Sequence, residues 1–170
     1  MEEPIQSSML DGTDFMARLD AASASVAAQA RAEAPAGLTE PDPSADERWE
    51  AAQVWAHMAE FVGYWHEQIE GVIGEYAGEP VPFGRVKTDP GRLAAIEVGR
   101  REPIPMLAGR VQEELSELRR FLGRLTVAEW AAMGRHQTAG EMDVEQMVGR
   151  FVVDHLEEHL DQLDRLTAGT

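Results

Sequence analysis

"DHLEEHLDQL", residues 154–163, places two imidazoles, His155 and His159, four residues apart in a stretch with helical periodicity. Taking Val148 as the origin at 100° per residue, Val144, Phe151, Val152, Leu163 and Leu166 all fall within about 60° of it. His155 and His159 lie about 20° to either side, at the centre of this apolar stripe. Asp154, Glu157, Asp161 and Asp164 lie more than about 100° away, towards solvent. Both rings are therefore expected to point inward. Their spacing brings the Cβ atoms roughly 6 Å apart, as two ligands of one ion require.

Asp143 and Gln146 cap this helix, which runs to about residue 167. Before it come the loop "GRHQTAGEM" (134–142) and a short helical turn through Trp130, opened by a Thr126–Glu129 capping box. A helix over about 105–124 carries Leu107, Val111, Leu115, Leu118 and Leu122 on one side. Another runs from Ser44, the cap of "SADE" with Glu47, to about residue 75. The first, over about 12–34, repeats Phe15, Leu19, Ala22 and Val26. Between the second and third helices lies "AGEPVPFGRVKTDPGR" and then a short helix over about 91–100. Strand signals are nearly absent. The expectation is an all-α, antiparallel four-helix bundle in one domain over residues 1–170. A long crossover lets its second and third helices run parallel.

In the second helix, "WAHMAEFVGYWHEQI" holds His57 with Val54, Phe61, Tyr64 and Gln68 within about 60° of it. His66 is nine residues further on, about 180° away, and faces elsewhere. Three neutral nitrogen ligands in an apolar bundle suit zinc, nickel or iron(II) and leave positions open for water or substrate. The other reading is three separately bonded core histidines, each needing its own polar partner or losing roughly 1–3 kcal/mol. Two further metal patterns fail. "HLEEH" (155–159) matches H-x-x-E-H, but the acids after it lie on the solvent face. No histidine has a glutamate three residues before it, as di-iron bundles require.

The chain carries 31 acidic and 15 basic residues, a formal charge of −16, and 44% hydrophobic residues. Such a surface repels polyanions, so neither nucleic acid nor an anionic membrane is expected as a partner. The start "MEEPIQSSML" lacks a signal pattern, and no apolar run approaches the roughly 20 residues of a membrane span, so a cytoplasmic location is expected. There is no cysteine, so any thiol chemistry must use a thiol from outside.

The segments "WEAAQVWAHMAEF", "EW…GRHQTAGEMDVEQM" and "VVDHLEEHLDQLDRL" resemble the DinB-like superfamily of four-helix-bundle metalloproteins over about residues 10–167. The family's pattern of one histidine on helix two and H-x3-H on helix four falls on His57, His155 and His159. The resemblance implies a bound divalent ion, often zinc or nickel. Where members act, it implies S-transfer or isomerisation with a low-molecular-weight thiol: mycothiol, bacillithiol or glutathione.

The expected function is therefore a metal-dependent thiol transferase or isomerase acting on a small-molecule substrate. Glu60 and Tyr64, one and two turns after His57, are candidates to support the ligands or position substrate. Arg85 and Arg92, in a basic segment from Arg85 to Arg101, are candidates to receive a carboxylate or an anionic thiol. The alternatives are a non-catalytic metal-stabilised module, such as a sensor or a homodimeric binding protein, and a metal-dependent hydrolase. The resemblance also places a histidine in the loop of His136, which reads from the residues as solvated and stays outside the expected site.

Overall fold

The computed structural model describes residues 8–43 and 47–168. Four long helical runs form the bundle: α1 (Ser8–Arg31), α2 (Ala51–Glu75), α4 (Ile104–Leu122) and a last run. That last run is built from α6 (Val144–Met147), a π-helical segment (Val148–Val153) and α7 (Asp154–Ala168). Shorter helices α3 (Pro90–Gly99) and α5 (Val127–Trp130) lie in the connections.

Side-chain pairs fix the helix directions. Ser23 meets Gln112 and Asp20 meets Arg119, so α1 and α4 are antiparallel. Gly63 abuts Glu114 and His66 packs on Phe121, so α2 and α4 run parallel. Arg18 binds Asp154 and Glu157 while Gln29 binds Asp164, so α1 and α7 are also parallel. The order is up, down, down, up, as the long crossover predicts. Trp55, Met58, Phe61, Leu19, Leu107, Leu115, Leu118 and Leu156 are fully buried between the helices and exclude water from the core.

The connections depart from the sequence reading in two places. Three short strands, β1 (Val81–Phe83), β2 (Met133–His136) and β3 (Gly140–Asp143), form a sheet in that order, β1 parallel to β2 and β2 antiparallel to β3. Three or four residues with a proline or glycine among them give no period-2 signal, so this sheet is set by tertiary pairing rather than local propensity. Helix α2 begins at Ala51, later than the expected Ser44, which lies outside the described residues. The preceding chain is drawn into a clamp instead: Thr39 N–H donates to the Trp49 carbonyl at 2.8 Å, and Trp49 N–H to the Thr39 hydroxyl at 3.0 Å.

Candidate metal centre

His57 comes from the buried face of α2, and His155 and His159 from successive turns of α7. His57 and His159 are buried and His155 is half-buried. They do not sit at the centre of the apolar stripe, as a uniform α-helix would have it. The π segment, closed by Asp154 N–H donating to the Gly149 carbonyl, takes up one extra residue. Everything after it therefore lags by about 100°. Leu156, Leu160 and Leu163 now occupy the core. The two imidazoles move to the flank that faces α2 and an open cavity. That rotation is what turns two core histidines into a wall of a site.

The three rings converge. His57 Nε2 and His155 Nε2 are 3.0 Å apart, and one ring nitrogen from each histidine lies within 4.8 Å of the others. Ring centroids are 4.6–5.2 Å apart. Two of the rings have their outer nitrogens tied. His57 Nδ1–H donates to Glu60 Oε1 at 2.9 Å, and His159 Nδ1–H donates to Gln162 Oε1 at 2.8 Å. Each acceptor follows its histidine by three residues, one turn along the helix. This fixes both tautomers with a bare lone pair on Nε2.

His159 Nε2 is buried and has no hydrogen-bond partner. An orphaned buried acceptor costs roughly 1–3 kcal/mol, a cost that a cation would remove. Two ligands about 2.1 Å from one ion are about 3.0–3.4 Å apart when adjacent, which the 3.0 Å contact matches. The residues therefore fit a divalent ion held by three imidazoles. Electrostatics agrees with this, because ligand imidazoles must be neutral. Burial, then the neighbouring imidazoles, hold His57 well below the ordinary histidine range. Burial does the same to His155, and pushes His159 down to about 4.

Glu60 and Tyr64 stand behind the histidines rather than in the cavity wall. Arg85 grips both Glu60 oxygens, at 2.5 and 2.6 Å, and lies 3.8 Å from the centroid of the Tyr64 ring. Burial pushes the Glu60 carboxyl up, against the pull of Arg85. Arg92 is buried, donating to the Lys87 carbonyl at 2.7 Å and lying 3.5 Å from Glu47. Both arginines line a cavity of about 740 Å³ that opens onto the three histidines, so the crossover lies over the end of the bundle that carries them. Arg100 and Arg101, further along it, pair with Glu50 and Glu97 instead.

His136 is not solvated. Buried on β2, it accepts at Nδ1 from Thr138 and Ala139 N–H, and donates from Nε2 to the Arg85 carbonyl at 3.0 Å. It bolts the crossover to the sheet. Gly84 makes this possible: its φ is 84°, and a Cβ there would run into the His136 ring. Sequence reading also missed Trp49, which packs edge-on to His57 (5.1 Å) and stacks on His159 (5.9 Å) from the 39–49 clamp. His66 is remote, beside Glu70 and Phe121, as its helical phase requires.

Fold and site together define a helical bundle whose wall carries three converging imidazoles that could hold a metal ion. The sequence profile of the DinB superfamily matches residues 13–163, and the chain belongs to that superfamily. No curated protein matches the chain in sequence. Among solved structures it is similar to YfiT from Bacillus subtilis, described as a probable metal-dependent hydrolase with an unusual four-helix bundle topology. That match has 16% identity and a TM-score of 0.74, covering 99% of this chain and 92% of the other. It is also similar to a mutant of a mycothiol-dependent maleylpyruvate isomerase, at 11% identity and a TM-score of 0.66 over 89% of this chain and 60% of that one.

Proposed function

We propose that the protein is a divalent-metal enzyme that uses an external low-molecular-weight thiol in S-transfer or isomerisation. The observation that carries this reading is the set of three Nε2 atoms on the wall of a roomy cavity, two of them with fixed lone pairs, one of those two, on His159, buried without a partner. A divalent ion held there, such as zinc or nickel, would supply Lewis acidity and lower the pKa of a coordinated thiol or water.

The chain's own residues do the rest. His57, His155 and His159 hold the ion, and Glu60 and Gln162 keep two of those rings in register. Arg85 offsets the Glu60 charge behind the site. Trp49, packed on His57 and His159, shields them from water on one side. With no cysteine in the chain, the nucleophilic sulfur comes from a cosubstrate, for which the cavity has space.

A second reading, a metal-dependent hydrolase, is favoured by one feature. Glu158 lines the cavity beside His159, is exposed, and has no ion-pair partner among the described residues, as a general base for water would need. Assay of the nickel- and zinc-loaded protein against electrophilic and ester substrates, with and without mycothiol, bacillithiol or glutathione, separates the two. The thiol reading expects turnover only with added thiol. Equal turnover without thiol would establish the hydrolase instead.

A further inference from the structure

The cavity holds four cations, and three of them are already satisfied by the protein. Arg85 is bound by both Glu60 oxygens, Lys87 by Asp42 at 2.7 Å, and Arg92 by Glu47 and a backbone carbonyl. The fourth is Arg150. It is exposed, lines the cavity, and its guanidinium lies 5.5 Å from the centroid of the neighbouring Phe151 ring. Among the described residues no carboxylate lies within ion-pair distance of it.

Arg150 differs in this from the other three cations of the cavity, each of which has a carboxylate. Arg150 and Phe151 both belong to Val148–Val153, and both are turned towards the cavity from the helix that carries His155 and His159. Phe151 completes an aromatic floor, stacking on Trp65 at 4.4 Å and on His136 at 5.2 Å.

The cavity is also polar along its length. Its unpaired acid on the same helix, Glu158, is eight residues from Arg150, roughly 12 Å of helix away, with His155 between them and His159 next to Glu158. A ligand that reaches the histidines thus meets an unpaired guanidinium on one side and an unpaired carboxylate on the other.

We infer that Arg150 is the residue that recognises the substrate's carboxylate, anchoring it over the Trp65–Phe151 floor with the reacting end at the histidines. Specificity follows from geometry. A guanidinium presents two parallel N–H donors that match a carboxylate and not its amide. This rests on the proposed metal site only for the ligand's second point of attachment.

The test is calorimetric titration of the full chain, nickel-loaded and metal-free in parallel, with α,ω-dicarboxylates from succinate to adipate and with their diamides, which carry no carboxylate. In the metal-free protein the best diacid is expected to bind about tenfold more tightly than its diamide, the size of one charge-assisted pair. Arg150→Met should abolish that preference while leaving nickel content, thermal midpoint and diamide affinity unchanged. Arg150→Lys should retain part of it. A preference that survives in metal-free Arg150→Met, or is absent from the metal-free wild type, overturns the inference. Failure of nickel to bind would remove the metal reading alone, and the metal-free titration would still decide the role of Arg150.

Discussion

At the scale of single residues, the site is a matter of which ring nitrogen is left bare. Glu60 and Gln162 each take an Nδ1–H, so the two Nε2 lone pairs are assigned by their helical neighbours. The sequence carries this as H-x-x-E and H-x-x-Q, His57 to Glu60 and His159 to Gln162. One half was read, and Gln162 was missed because a glutamine near a helix end is ordinary surface composition.

Burial of neutral histidines also ties stability to pH. His159 has a folded pKa of about 4 against 6.5 for a free side chain, so the unfolded state binds more protons between those values. Its contribution to the metal-free protein is present in full above pH 6.5 and is lost as the pH falls towards 4. The loss is about 3 kcal/mol. Urea unfolding of the metal-free protein at pH 7 and pH 4.5 reads it out, and His159→Phe should remove its share of the dependence while His57 and His155, also buried and neutral, keep theirs. An unchanged pH slope in that variant would contradict the burial account.

At the scale of elements, the four long helices were legible because each has an apolar stripe sustained over several turns. The parallel course of α2 and α4 was legible from the length of the crossover. Two features were not. The π segment has no compositional signature, since VGRFVV suits an α-helix equally well. Yet it moves His155 and His159 by about 100°, from the core to the cavity. The small sheet is similarly silent, because β1 pairs with β2 across 53 residues of sequence, Val81 with Gly134.

That sheet holds the crossover over the site through the bond from His136 to the Arg85 carbonyl. Gly84→Ala should therefore destabilise the protein by roughly 1–3 kcal/mol, from the positive φ and the contact with His136. It should also loosen the Arg85–Glu60 pair. Chemical denaturation gives the first quantity. A midpoint equal to wild type would show that the crossover is not pinned there.

For the whole molecule, a charge of −16 opposes compaction, and a divalent cation bound by the folded state alone offsets it by mass action. At a free metal concentration a hundredfold above Kd the gain is about 2.7 kcal/mol, equivalent to a rise in Tm of roughly 5–10 °C for a chain of this size. Scanning calorimetry of chelator-treated protein, with and without added zinc or nickel, measures it. Calcium and magnesium should give no such shift, because three imidazoles suit neither. Among the described residues no helix is long and apolar enough to cross a membrane.

The measurement that bears most directly on the account is metal content per chain, by elemental analysis, of the wild type beside His57→Ala, His155→Ala and His159→Ala, all purified natively and checked for fold by circular dichroism. One divalent ion per wild-type chain, and its loss from each folded variant, is the predicted result. A folded wild type that takes up no zinc or nickel, or variants that retain the ion at wild-type stoichiometry, would contradict it.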